Sequence, residues 1–141
     1  MAPGELFAGL AISILIAYLV FDKFTSLGFE NFSPKRIWYF LLYLPFFFFE
    51  VIKSNIDVAY RVLHPKMPIK PGIVAIKTSL KGNMAKLILA NSITLTPGTF
   101  TLDIIDDTYL IHWIYVEDET LEGASKAIAT KFEKYIKEFA E

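Results

Sequence analysis

Ile37-Trp-Tyr-Phe-Leu-Leu-Tyr-Leu-Pro-Phe-Phe-Phe-Phe49 is a run of thirteen residues without a charge, and it ends in four consecutive phenylalanines. A helix built from it is apolar on every side, so no face of it suits water. It rises only ~20 Å, short of the ~30 Å of hydrocarbon in a bilayer. Pro45 removes one backbone hydrogen bond from its middle and marks a place for a kink. Glu50 ends the run. Val51, Ile52, Ile56, Ala59, Tyr60 and Leu63 then keep a helical spacing until His64 and Pro65 stop it. Ser33 before Pro34 suits a cap followed by a first-turn proline. A long helix over about 35–63 is therefore expected, amphipathic from Glu50 onward and either crossing a bilayer or lying partly in its plane.

Upstream, Leu6 to Phe21 is sixteen residues without a charge, close to the ~20 needed for a crossing. No Lys or Arg precedes it and no small-x-small cleavage site follows, so a retained spanning helix over about 5–23 is expected rather than a signal peptide. Asp22 to Arg36 is a polar connector, broken by Gly28, Asn31, Ser33 and Pro34. Residues 1–64 thus read as membrane helices and 65–141 as a soluble α/β domain.

The orientation follows from Lys and Arg. Lys23, Lys35 and Arg36 lie in the connector, and Lys53, Arg61, Lys66 and Lys70 lie in and after the second helix. If both helices cross, the charge is split between two faces, as in a hairpin. If the second helix only dips in, all of it falls on one side. In both arrangements the C-terminal domain is expected in the cytoplasm, beneath the plasma membrane.

The composition agrees with this division. Hydrophobic residues make up 54% of the 141 residues and charged ones 21%, and the mean hydropathy is +0.43, above that of a typical soluble domain. The net charge of −1 provides no basic field for nucleic acid. There is no cysteine, which excludes disulfides, thiolate metal sites and a cysteine nucleophile. The absence of glutamine, beside twelve lysines, leans toward a thermophilic source.

In the second half, Pro65, Pro68 and Pro71 form an extended linker. Ile73 to Leu80 reads as a strand. Asn83 reads as the cap of a helix over Met84–Ser92. Ile93 to Leu95 reads as a short strand or a helix exit. Thr96-Pro-Gly-Thr99 makes a turn. Phe100–Ile105 and Thr108–Val116 read as a hairpin closed by Asp106 and Asp107. Tyr109, Ile111, Trp113 and Tyr115 fall on one face of the second strand and Leu110, His112 and Ile114 on the other, as in an inner strand. Thr120 caps a final helix, Leu121 to Ala140. The fold class is a membrane α-helical N-terminal part plus a C-terminal α+β ferredoxin-like sandwich, β-α-β-β-α.

Few residues suggest chemistry. Two histidines are too few for a histidine metal cluster, and no HExxH occurs. His112 reads as a packed or partner-facing residue, and His64 as a helix end favoured by the dipole. Asp103, Asp106 and Asp107 suit magnesium or acid–base work, or simply a turn in which Asp bonds its own backbone. No phosphate-loop, dinucleotide or nucleophile-elbow motif is present. Glu50 interrupts an apolar helix with Lys53 one turn on, which makes the two a candidate membrane-embedded charge pair; a place at the headgroup boundary is the plainer reading. No catalytic residue, metal or cofactor is expected.

The segment Asn91-Ser-Ile-Thr-Leu-Thr-Pro-Gly-Thr-Phe-Thr-Leu-Asp103 closely resembles the signature of the E subunit of Mrp-type multisubunit cation/proton antiporters, with Asn91, Thr94, Thr96, Pro97, Gly98, Thr99 and Asp103 as its marked positions. Pro71-Gly72-Ile-Val and the amphipathic helix upstream fit as well, and the likeness runs from about Gly9 onward. Family members also occur in archaeal membrane-bound hydrogenases and their sulfur-reducing relatives. The resemblance implies a non-catalytic accessory or assembly subunit of a Na+/H+ antiporter module, or the same subunit in such a respiratory complex. It implies other membrane subunits as partners, met through Ile37–Leu63 and an exposed strand edge. Bacterial relatives usually begin with a further apolar helix, whereas Met1-Ala2-Pro3-Gly4-Glu5 here reads as the connector that follows it. From a different class, a membrane-tethered enzyme or sensor with a ligand-binding domain would also suit the sandwich, though fold alone warrants little.

Overall fold

The structure is a computed structural model and describes residues 3–25 and 33–141. It falls into two compact units, Met1–Phe32 and Ser33–Glu141. The glycine and asparagine expected to break the connector, Gly28 and Asn31, lie outside the described residues.

In the first unit, α1 runs over Pro3–Thr25. Its apolar stretch Gly4–Leu19 exposes side chains all round, among them Leu6, Phe7, Leu10, Ile14 and Tyr18. Ser13 donates its hydroxyl to Gly9 O at 2.8 Å, so this hydroxyl is satisfied within the helix, as a lipid environment requires.

The second unit starts with α2, Pro34–Leu63, which is long and apolar enough to cross a membrane. Ser33 is extended at its N-cap and Pro34 follows, although the Ser33 side chain makes no cap bond. The helix continues through Pro45. His64 ends it, its N–H bonded to Tyr60 O. Because α2 groups with everything that follows, the boundary expected between 64 and 65 falls instead before Ser33. Aromatic side chains along its first half are covered by the α/β domain of the same chain.

That domain consists of β1 (Gly72–Lys77), α3 (Asn83–Leu95), β2 (Thr99–Ile105), β3 (Thr108–Trp113), α4 (Leu121–Ile128) and α5 (Thr130–Ala140). The sheet order is β1-β3-β2, all antiparallel, which is the split β-α-β of a ferredoxin-like sandwich. β3 is the inner strand, with Tyr109 and Ile111 fully buried beneath it. Helices α3 and α4 pack on one face of the sheet, α5 packs on them, and α2 packs on α5. The core joins Ile76, Leu89, Ile93, Tyr109, Ile111, Phe132 and Ile136 to Tyr43 of α2.

Several boundaries differ from those expected, each for a local reason. β1 stops at Lys77 because Thr78 and Ser79 turn to the Glu133 carboxylate, with Thr78 Oγ1 at 2.5 Å and Ser79 Oγ at 2.8 Å. α3 is capped by Gly82 rather than Asn83 and extends past Ser92 to Leu95. Residues 93–95 are therefore helix and not strand. Thr99 Oγ1 donates to Ile93 O and Thr96 O, satisfying carbonyls that a helix end leaves open. β3 ends at Trp113, and Ile114 N–H turns to Gly98 O. The final helix is interrupted at Ala129. Ser125 Oγ bonds back to Leu121 O and Thr130 Oγ1 to Ser125 O, and such hydroxyls compete with the helical ladder and bend it. Thr120 caps α4 as expected, accepting from Gly123 N.

Candidate functional site

The residues of α2 divide by face. The inner face of its first half runs antiparallel along α5. Lys35 meets Glu138 at 3.0 Å, and Arg36 donates to Glu141 O at 2.5 Å. Phe40 meets Phe139 edge-on at 5.5 Å, Tyr43 lies 5.3 Å from Phe139, and Phe46 stacks on Tyr135 at 4.6 Å. Edge and offset stacking of this kind adds about 0.5–1.5 kcal/mol per pair beyond area burial. The Tyr43 hydroxyl shares a short hydrogen bond with Ser92 of α3.

The outer face is predominantly apolar: Trp38, Leu41, Phe48, Phe49, Ile52, Ile56, Tyr60 and Leu63 are all exposed, with Asn55 among them bonded back to Val51 O. In the second half this reverses the usual amphipathic arrangement. Glu50, Lys53, Ser54, Asp57 and Arg61 line a groove of about 310 Å³ beneath the helix, while Ile56 and Leu63, 66% and 83% exposed, point away from it. A soluble helix turns its charges outward. A helix whose outer surface meets lipid or other helices does the opposite.

Within the groove the charges pair. Glu50 is buried, and its salt bridge is to Lys131 of α5 at 2.5 Å. It does not take Lys53, the partner expected from one-turn spacing; Lys53 is exposed at the groove wall. Asp57 receives two bonds from Arg61, at 2.7 and 3.1 Å. Arg61 also donates to Pro68 O at 3.0 Å and stacks on the Tyr115 ring at 4.0 Å. The Lys131 pairing joins residues 81 apart, which helical spacing does not reveal. The sequence signal available was the aromatic row Phe132, Tyr135, Phe139 on α5, which matches Phe40, Tyr43 and Phe46 on α2.

The segment Asn91–Asp103 forms the end wall of the groove through Thr96, Pro97, Gly98 and Thr99. Hydroxyls bind it together: Thr96 Oγ1 donates to Ser92 O, Thr101 Oγ1 to Ala90 O, and Thr94 Oγ1 accepts from Thr101 N. Gly98 has φ +91°, and a Cβ there would lie 2.9 Å from Ile114 Cγ2 and 3.2 Å from Val58 Cγ2. Only glycine lets the turn seat under α2. Asn91 is exposed on α3.

Asp103 accepts from Ile104 N at 2.8 Å. Asp106 takes a left-handed φ of 55° in the hairpin turn. Asp107 pairs with Lys86 at 2.6 Å, and this hydrogen bond holds its carboxyl below the ordinary Asp range. Asp106 and Asp107 form the hairpin turn while Asp103 lies in β2, and no group of acids or histidines suited to a metal occurs among the described residues. His64 caps α2 and accepts from Lys66 N. His112 is exposed on the sheet.

An apolar helix fastened by one face to a split β-α-β sandwich, with its other face bare, defines a membrane-associated chain that relies on lipid or neighbouring helices for cover. Residues 1–139 match the model of the MNHE family, Na+/H+ ion antiporter subunit, and the chain belongs to that family. The E subunit of the Na(+)/H(+) antiporter of Alkalihalophilus pseudofirmus is 39% identical over 132 residues, covering 91% of this chain and 84% of the relative. The E1 subunit of the Staphylococcus haemolyticus antiporter is 34% identical over 134 residues, covering 92% and 84%. Among solved structures, a chain of the membrane-bound sulfane sulfur reductase, an archaeal respiratory membrane complex, is 52% identical with a TM-score of 0.77, covering 96% of this chain and 84% of that one. A chain of the Mrp complex from Dietzia sp. is 27% identical with a TM-score of 0.50, covering 74% and 94%.

Proposed function

We propose that this chain is a non-catalytic accessory subunit of a multisubunit Na+/H+ antiporter module, where it supports assembly at the membrane and moves no ion by itself. The observation that carries the reading is the inverted helix α2, charged toward its own domain and apolar outward. Relatives that are named as E subunits of Na+/H+ antiporters support the module.

A second reading places the same subunit in an archaeal respiratory complex. It is favoured by the likeness to the sulfane sulfur reductase chain, at 52% identity and TM-score 0.77 against 27% and 0.50 for the Mrp chain. The two readings differ in partners and not in local physics.

The packing of α2 on α5 also bears on topology. Drawing residues 36–50 across a bilayer would take Lys131, Glu133, Lys134, Lys137 and Glu138 of α5 with them. At about 2.5 kcal/mol or more per charge, that costs more than ~10 kcal/mol. An in-plane α2 avoids this and leaves the flanking Lys and Arg on one side, which by the positive-inside rule is the cytoplasm. The C-terminal domain is then cytoplasmic, and α1 is the crossing helix of the described part.

Mild-detergent purification from native membranes tests the assignment. Antiporter subunits should copurify; nickel–iron or iron–sulfur subunits would favour the second reading. Full antiport by an assembled complex lacking this chain would refute the accessory role.

A further inference from the structure

The sheet has a second apolar surface, on the side away from α2. No helix of the second unit covers it. Ile73, Phe100, Leu102 and Ile105 are exposed there, at 65, 52, 48 and 58%. Register puts Ile73, His112 and Phe100 in one row across the three strands, and Ala75, Leu110 and Asp103 in the next. Leu102 sits at the irregularity between Thr101 and Asp103, which adds one side chain to β2.

We propose that this open sheet face docks a water-exposed segment of another subunit of the same membrane complex. The segment is apolar at its centre, with an acid against Lys77 on one edge and a base against Asp103 on the other. The proposal rests on the accessory-subunit reading above.

Three observations choose this occupant. First, α2 lies on the helical side of the domain and the open face on the opposite side, with α3, α4 and α5 between them. A bilayer that covers the outer stripe of α2 cannot also cover the sheet. Second, the chain's own side chains occupy N–H groups that strand addition would use, two on β2 and one on β1. Thr101 N–H is taken by Thr94 Oγ1 and Ile104 N–H by Asp103 Oδ1 on β2, and Lys77 N–H by Ser125 Oγ on β1. These bonds disfavour pairing along the edges, whereas the face stays open.

Third, the patch is small. Three strands at ~4.8 Å spacing and about six residues at ~3.3 Å give roughly 300 Å². An interface that stands alone buries about 800 Å² per partner, so two copies joined by this face would not hold. A partner already confined to the same complex needs far less, because tethering raises its effective concentration. Lys77 and Asp103, exposed on opposite outer strands, fix the partner's orientation by charge.

The test uses the full chain, tagged, in its native membranes. Phe100→p-benzoylphenylalanine is irradiated in place. The expected product joins this chain to a subunit that also copurifies with it without irradiation, identified by mass spectrometry. Adding Ile73→Glu should lower that product at least fivefold while the thermal midpoint in detergent holds, because Ile73 is mostly solvent-facing. Lys134→Glu, on the far side, should leave the yield unchanged. A product with lipid, a product with a second copy, or no product from a chain that still copurifies with its complex would overturn the docking proposal alone. A chain that brings down no membrane subunit would sink the accessory-subunit reading and this proposal with it.

Discussion

The hydroxyls of Tyr43 and Ser92 hydrogen-bond to each other in the buried seam between α2 and α3. Ser92 Oγ also donates to Ile88 O at 2.6 Å, so Tyr43 is the donor to Ser92. The two deletions are therefore unequal. Tyr43→Phe leaves Ser92 with a partner and should cost about 1 kcal/mol. Ser92→Ala leaves a buried phenol without its acceptor and should cost more, about 1–3 kcal/mol. Tyr43→Ala, which also opens a cavity, should cost about 3–5 kcal/mol. Denaturant unfolding in detergent ranks the three; a Tyr43→Phe loss equal to that of Ser92→Ala would contradict the donor assignment.

Lys131→Ala strips the counter-ion from Glu50, whose side chain is only 9% exposed. Breaking a fully buried pair costs about 3–5 kcal/mol. Lys131 is partly open to solvent, which screens the pair, so a loss of about 1–3 kcal/mol is expected. Lys53→Ala should change stability by less than about 0.5 kcal/mol. The reversed pair Glu50→Lys with Lys131→Glu should recover part of the loss. Equal effects at Lys53 and Lys131 would restore the one-turn pairing.

At Gly98 two penalties combine. Alanine must adopt φ +91° and must push Ile114 or Val58 aside. A loss of roughly 1–3 kcal/mol is expected from strain of this kind, with the melting temperature as readout. Pro97→Ala, with no positive φ to hold, should cost less.

Acid should loosen the hairpin. Lys86 holds the Asp107 carboxyl below its usual range, and the hydroxyl and backbone N–H of Thr120 do the same for Asp118. A depressed carboxylate contributes stability that is present above its unfolded pKa, near 3.9, and is lost as pH falls through the lower folded value. Melting temperatures measured from pH 5 down to pH 3 should therefore fall, and Asp107→Asn should flatten that dependence.

Much of this architecture is written locally. Ser33-Pro34 and His64-Pro65 bracket α2, and the apolar residues on both faces of Thr108–Trp113 mark the inner strand of the sheet. The Thr and Pro-Gly pattern of residues 94–99 marks the turn. What covers α2 is not local. A helix apolar on all sides reads alike whether Phe46 meets lipid or Tyr135, and only the fold shows that it meets Tyr135. The break at Ala129 and the Glu50–Lys131 pair are hidden for the same reason. The first depends on hydroxyls competing for carbonyls, the second on two helices meeting across most of the chain.

The absence of cysteine makes the placement of α2 measurable one residue at a time. Leu41, Phe48, Ile52 and Ile56 all lie on the exposed stripe, and from 41 to 56 the helix advances ~22 Å. If α2 lies in the plane, single cysteines at these four positions, carrying a fluorophore, should report one common shallow depth, about 5–10 Å below the headgroups, when quenched by lipid-borne nitroxides. A crossing helix would instead place its middle position deepest and its ends shallow. Lys134→Cys, on the water-facing side of α5, should react with an impermeant maleimide only from the cytoplasmic face of oriented vesicles. Positions 48 and 52 lying much deeper than 41 and 56 would mean that α2 crosses. In that case α5, with its five charges, must detach from the seam that Phe46 and Tyr135 form.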